Sequence, residues 1–411
     1  MRRAMENKTL ENIQKTAFQF FQDFTNFDEQ STGYGLTIDH TNNLESASIA
    51  STGFMLSSLI IGDRYEYLSH EKALHQARKT LFTLYHHAEN QFGFYAHYFD
   101  IRSGQRKGKC EYSTIDTALA LCGIIAVDSY FKDDEISKLA QLILDRVDWT
   151  EFIFEKDNKK LLHMSYNPDK DGAYALGKTG LIYQWDMFAE QLMMYVIIGG
   201  GVYKDQAYEL YQGFYRDKRK YDSYEYFISP GNTLFNYQFP LAWLDLQDYR
   251  DDQNISWFEN AKIATLAHQK CSIDHQKAFK TFSKYFYGFN ASDTPLGYRV
   301  FSALPNKLNE LKTDGTVAPF SMIGSLPFIP KESMLSIDKM LEIKNLWGKY
   351  GFYDAFNLED DQPWISNRYI AIDKGLEMLM VNAVLTKDVQ NAFMKHKVII
   401  KGLDTLCFVR K

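Results

Sequence analysis

Cysteine is scarce in this chain, with 4 in 411 residues, and Cys110, Cys122, Cys271 and Cys407 keep no spacing suited to zinc or a redox pair. They read as reduced thiols, which excludes a disulfide scaffold. Proline is also sparse, at 9 residues, and no Pro- or Ser-rich linker or compositional break divides the chain. The expectation is a single domain over 1–411, with residues 1–9 as a flexible N-terminus. Basic charge is not in excess: the net charge of -6 gives no electrostatic footprint for nucleic acid. No 18 apolar residues occur in succession, and the stretch from Leu192 to Val202 is broken by three glycines, so no membrane partner is expected. The opening Met1-Arg-Arg-Ala-Met-Glu is charged and carries no apolar run of signal length, which makes a cytoplasmic address the expectation. The 10 histidines show no HExxH or paired metal spacing, since His86 and His87 are adjacent and His163, His268 and His275 are isolated. Gly199-Gly-Gly follows no strand and reads as a helix end, not a phosphate cradle. Neither a metal nor a cofactor is implied.

Aromatic residues, by contrast, are abundant: 15% of the chain, with 27 Tyr and 30 Phe. Apolar periodicity predicts helices over 8–25, 46–62, 67–87, 113–131, 134–147, 181–198, 205–217, 235–247, 256–270, 331–343, 369–385 and 387–396. Strand-like alternation is confined to Gly93–Asp100 and Phe152–His163, which read as small hairpins. The fold class is therefore all-α with small β-hairpins in loops. About a dozen helices suit six helical hairpins closed into an (α/α)6 barrel. An α-solenoid is the competing architecture, but it would show a period of about 34–47 residues and none is visible.

One carboxylate stands out. Glu190 lies in Leu181-Ile-Tyr-Gln-Trp-Asp-Met-Phe-Ala-Glu190-Gln-Leu-Met-Met-Tyr-Val, where almost every helical neighbour is apolar or aromatic. An isolated charge out of water costs more than neutralising it, so such a carboxyl is either paired or protonated. A carboxylic acid held neutral near pH 7 is what a general acid requires. Loops that pair aromatics with glycine, at Gly93–Phe99, Tyr285–Asp293, Gly297–Phe301, Asp314–Phe320 and Trp347–Asn357, read as the walls of a cleft.

Several motifs now combine. Ser46-Ala-Ser-Ile-Ala-Ser-Thr-Gly-Phe54, Glu111-Tyr-Ser-Thr-Ile-Asp116, Tyr237-Gln-Phe-Pro-Leu-Ala-Trp-Leu-Asp245, Asp314-Gly-Thr-Val-Ala-Pro319, Leu346-Trp-Gly-Lys-Tyr-Gly-Phe-Tyr-Asp-Ala-Phe-Asn357 and Tyr369-Ile-Ala-Ile-Asp373-Lys-Gly375 together resemble the bacterial glucoamylase-like family. That family includes endo-β-1,2-glucanases, exo-acting relatives that release sophorose, and a domain of cyclic β-1,2-glucan synthases. The resemblance covers the chain from about residue 10 onward. It implies an (α/α)6 barrel and inverting hydrolysis of β-1,2-linked glucans or sophoro-oligosaccharides, with exo action on short intracellular chains the expected mode. Two runs depart from the family pattern: Gln238-Phe-Pro-Leu-Ala-Trp243 lacks the usual histidine, and Ala371-Ile-Asp-Lys-Gly375 has lysine where glutamine is common.

Glu190 matches the family's motif glutamate and is the candidate acid. Asp373, at a helix start whose dipole and free N–H groups favour the ionised form, is the candidate base. Asp116, similarly placed near a helix start, is the runner-up. Glu111, Asp39, Asp293 and Asp354 are candidate ligands for sugar hydroxyls. Trp185, Trp364, Tyr287, Phe289, Tyr298 and Tyr369 are candidate stacking groups, and Arg299 and Arg368 candidate planar donors. Two alternatives from other classes stand beside the hydrolase: a sugar isomerase or epimerase on the same scaffold, which would employ histidines with His97 the obvious loop candidate, and a non-catalytic glycan-binding relative.

Overall fold

The computed structural model describes residues 2–411. Its helices, in order, are α1 (Arg2–Phe24), α2 (Ile49–Arg64), α3 (His70–His86), α4 (Thr114–Phe131), α5 (Asp134–Arg146), α6 (Leu192–Gly200), α7 (Lys204–Gly213), α8 (Phe235–Gln238), α9 (Trp257–His275), α10 (Pro319–Ile323), α11 (Pro330–Leu341), α12 (Ala371–Leu385), α13 (Asp388–Met394) and α14 (Lys397–Thr405). Two classes alternate. Helices α2, α4 and α12 are buried on nearly every face, whereas α3 and α5 bury one stripe and expose the other. This is the pattern of inner helices sheathed by amphipathic outer ones. α4 is apolar and long enough to cross a membrane by composition, and 72% of it is packed inside the protein.

The inner helices touch closely because glycines meet. A Cβ on Gly53 of α2 would strike the carbonyl of Leu119, and one on Gly123 of α4 would strike the carbonyl of Gly53. With hydrogen in both places the backbones pack without an intervening side chain. A continuous apolar core then runs from Leu10 to Phe408.

Short antiparallel sheets lie between the helices. One joins Thr37–Ile38, Ser46–Ser48 and Tyr98–Asp100. A larger four-stranded one is built on Lys159–Asn167, which pairs with Tyr112–Ser113, Ile153–Lys156 and Gly180–Gln184. Of the two anticipated hairpins, the one in Phe152–His163 is present and extends into the four-stranded sheet, whereas in Gly93–Asp100 the strand Phe94–Tyr95 pairs with Asn90–Gln91 and Tyr98–Asp100 pairs with Ser46–Ser48, so that segment is not a hairpin of its own.

The helix expectations are corrected at five places. The segment 181–198 is helical only from Leu192, because Leu181–Gln184 pairs with the long strand in the register Ser165↔Ile182. Gly180 and Tyr183 take positive φ, and an unbroken apolar run does not distinguish a buried strand from a helix. The helix expected at 235–247 stops at Gln238 and gives way to a 3-10 turn over Phe239–Ala242, since Pro240 has no N–H to continue the ladder. Helices α10 and α14 were not anticipated. Helix α1 takes in residues 2–9, against the expectation of a flexible terminus there; Met1 lies outside the described residues.

Candidate active site

A cavity of about 440 Å³ opens at one end of the helical assembly. Six helices begin there. Ser48 caps α2, Ile115 and Asp116 lie in the first turn of α4, Glu190 precedes α6, Phe235 opens α8, Phe320 is in α10, and Ile372 and Asp373 are in the first turn of α12. Helix starts present free N–H groups and the positive end of the dipole, so a pocket walled by them suits clustered carboxylates.

Glu190 sits in a tight turn and not in a helix. Gln191 fixes that turn: its Oε1 accepts from the Ala189 N–H at 2.8 Å and its Nε2 donates to the Met187 carbonyl at 2.9 Å. Burial, and then the negative charge of Asp116, push the Glu190 carboxyl up to about 8. It is therefore protonated at neutral pH, as its apolar neighbourhood predicts.

Asp116 is the third residue of α4. Its backbone N–H donates to the Ser113 hydroxyl oxygen, which caps the helix, and that hydroxyl donates to the Asp116 carboxylate. His97 faces it, with Nε2 3.7 Å from Asp116 Oδ1 and Nδ1 2.8 Å from Glu111 Oε1. Burial works against a charged imidazole, but Asp116 and Glu111 outweigh it and raise His97 to about 9. Burial raises Glu111 in turn, and its bond to His97 more than reverses this and leaves the carboxyl low. The His97 ring lies flat against Tyr98, 3.9 Å between centroids. Asp39 also faces the cavity, raised by burial against the opposing pull of His97 and His40. Its carbonyl accepts from the Ala371 N–H at 2.8 Å, which ties this wall to the start of α12.

The far wall carries a second carboxylate pair. Asp373 is pushed well up by burial and by the charge of Asp354 against it, so the expectation that the helix start keeps it ionised is corrected: desolvation and a like charge outweigh the dipole. Asp354 is raised by burial and held back by hydrogen bonds, one from Asp373 and one from the Asp293 N–H at 2.7 Å. Two acids in contact that cannot both ionise behave as one dyad. Behind them Lys374 pairs with Glu377, both buried, and Lys374 donates to the Phe352 carbonyl at 2.9 Å. Arg368, which lines the cavity, forks onto Asp293 through Nε at 3.1 Å and Nη2 at 2.8 Å.

Of the anticipated site residues, the structure brings Glu190, Asp373, Asp116, Asp39, Tyr298 and Arg368 together on the cavity. Glu111, Asp293 and Asp354 stand directly behind it, bonded to His97, Arg368 and Asp373. Others are elsewhere, for reasons of packing. Trp185 is buried with its indole N–H on Thr114 Oγ1 at 3.0 Å. Tyr287 and Phe289 are core residues with essentially no exposure. Tyr369 is buried and stacks on Tyr353 at 4.6 Å. Trp364 lies on a hairpin with Phe356–Asn357, and Arg299 on an exposed edge strand, neither lining the cavity. A glycine beside an aromatic serves the sealed end of a core as well as a cleft, so these could not be told apart. The cavity adds His40, His97, Tyr98 and Tyr174. Tyr174, 58% exposed, stands on a loop of no periodicity, and no sequence signal marks it.

The family model described as "Putative glucoamylase" matches residues 182–397, and the chain belongs to that family. It is 22% identical, over an alignment 391 positions long that covers 87% of this chain, to an exo β-1,2-glucooligosaccharide sophorohydrolase (non-reducing end) of Parabacteroides distasonis. The chain spans about half of that curated relative, 52%. Among solved structures, an endo-β-1,2-glucanase from Chitinophaga pinensis in complex with sophorotriose and glucose superposes with a TM-score of 0.83 at 20% identity, covering 98% of each chain. A β-1,2-glucanase from Parabacteroides distasonis gives 0.81 at 19% identity, covering 98% of this chain and 60% of that one.

Proposed function

We propose that this protein is an inverting glycoside hydrolase that cleaves β-1,2-linked gluco-oligosaccharides inside a one-domain (α/α)6 barrel. Six buried helices opening onto one cavity support the barrel, as does the superposition on the β-1,2-glucanases. The observation that carries the reaction is the neutral Glu190 carboxyl, facing the same cavity as a carboxylate dyad at the start of α12.

In the proposed reaction Glu190 protonates the departing oxygen, directly or through a substrate hydroxyl, as the glycosidic bond breaks. The dyad of Asp373 and Asp354 accepts a proton from water attacking the opposite face of the ring. Its high affinity for a further proton suits it to this role, because a weaker conjugate acid makes a stronger base. Asp116 is the less suitable base: its charge acts on Glu190, so it stands on the acid's side. Asp373 is governed instead by Asp354, Glu377 and Lys374. Tyr98, Tyr174 and Tyr298 offer ring faces and hydroxyls to the sugars. Release of short products from a chain end follows the name of the curated relative. The isomerase reading is disfavoured because both ring nitrogens of His97 face carboxylates, which leaves no free nitrogen to act as base. Incubation with β-1,2-, β-1,3-, β-1,4- and α-1,4-linked gluco-oligosaccharides tests the proposal. Cleavage of the β-1,2 series alone is expected, and turnover of another series in its place overturns the linkage.

A further inference from the structure

A glucose hydroxyl both gives and accepts hydrogen bonds. The cavity holds several carboxyl groups able to accept from it, so the scarcer partner is an N–H donor. Three cavity-lining side chains carry nitrogen: His40, His97 and Arg368. His97 turns one nitrogen to Glu111 at 2.8 Å and the other toward Asp116 at 3.7 Å, and Arg368 commits Nε and Nη2 to Asp293. His40 is different. Its Nδ1 accepts from the Asn42 backbone N–H at 3.2 Å. Among the described residues its Nε2 is bonded to no protein group, and it is not one of the unpaired atoms shut away from water.

A ring nitrogen that accepts an N–H bond holds a lone pair there and no proton. The Asn42 contact therefore fixes the tautomer: the imidazole is neutral and its proton is on Nε2, at the end of the ring away from the backbone. Burial favours the same neutral form, against the pull of Asp39. With its lone pair engaged the ring has none to offer as a base, and it can only donate. The mounting is firm. His40 pairs with Ile370 in a β-bridge, the Thr41 N–H donates to the Tyr369 carbonyl at 3.1 Å, and the Asn43 N–H closes the turn on the His40 carbonyl at 3.1 Å. Arg368 lies on the same segment as Ile370, so the two donors share one wall.

We propose that His40 is a further substrate-binding residue, whose Nε2–H donates to a hydroxyl oxygen of the glucosyl ring held in the cavity while the Asn42 N–H keeps that tautomer in place. It holds the sugar and moves no proton in the reaction. The identity of the sugar rests on the proposed function; the donor itself rests on the turn at Asn42.

NMR of the His40 ring nitrogens reads the donor without turnover. In wild-type protein at pH 7 Nε2 is expected to carry the proton and Nδ1 to be bare, and saturation with sophorose to shift the Nε2–H resonance. His40→Phe keeps a flat ring without the donor and is expected to raise KM for a β-1,2-linked gluco-oligosaccharide roughly threefold to tenfold, with kcat nearly unchanged. His40→Gln, which retains an N–H, returns KM most of the way. A proton on Nδ1, or an Nε2–H that stays put while the Tyr174 ring responds to sophorose, overturns the inference even if neither variant folds. So does an unchanged KM in His40→Phe. Silence of both His40 and Tyr174 toward sophorose overturns the inference together with the proposed sugar, whereas absence of β-1,2 hydrolysis with the His40 shift intact overturns the proposed reaction alone.

Discussion

Asp116 lies near enough to Glu190 for its negative charge to add to burial and hold that carboxyl near 8. Protonation of Glu190 is therefore a property of two residues, one supplying the proton and the other discouraging its loss.

Activity carries the sign of that shift. Glu190 donates only in its neutral form, which prevails below its midpoint and disappears above it, so kcat/KM is expected to be flat through pH 7 and to fall tenfold per pH unit above about 8. Asp116→Asn removes the opposing charge and moves that fall to lower pH with substantial turnover left near pH 6. A pH–rate profile of both proteins checks this, and complete loss of activity in Asp116→Asn would make Asp116 the base.

The dyad predicts an asymmetry. Asp373→Asn removes the member of the dyad that faces the cavity, and with it the dyad's capacity to take up a proton, and should lower kcat by roughly 100- to 10,000-fold. Asp354→Asn leaves Asp373 in place but takes away the like charge that raises it, giving a smaller loss and an acidic limb displaced to lower pH. Equal losses with no displaced limb contradict the coupling.

Tyr174 stands 58% exposed on the cavity rim, where a ring face unused by the core can cover a sugar. Tyr174→Ala is expected to raise KM roughly threefold to tenfold with kcat nearly unchanged, the effect of losing about 0.5–1.5 kcal/mol of ring contact. Steady-state kinetics on oligosaccharides of increasing length measures it.

The close approach of α2 and α4 is a stability prediction. Gly123→Ala places a methyl against the Gly53 carbonyl, and overpacking of this kind costs about 1–3 kcal/mol. Denaturant unfolding reads the loss as a lower midpoint. An unchanged midpoint would mean that the two helices separate easily.

Much of the site was legible because its chemistry is local. Glu190 is flanked by apolar residues whether its segment is helix or strand and turn, so its raised affinity for a proton survived an incorrect helix boundary. Asp116 and Asp373 were marked by their places at helix starts. The state of Asp373 was misjudged because the like charge of Asp354 and full burial are tertiary facts, and they outweigh a helix dipole that acts alone in the sequence. His97 stands out in the sequence only as the loop histidine of the isomerase alternative, because its charge comes from Glu111 and Asp116, which follow it in the chain and meet it only in the fold. Tyr287 and Phe289 read as a cleft wall but fill the core, where residues of the same kind are equally at home.

The most direct test of the account is proton NMR of the first product formed from a β-1,2-linked gluco-oligosaccharide by wild-type protein and by Glu190→Gln. The α-anomer is expected to appear first, and the folded variant to be slower by roughly 100- to 10,000-fold. A β-anomer appearing first, or near-normal turnover in the variant, would contradict it.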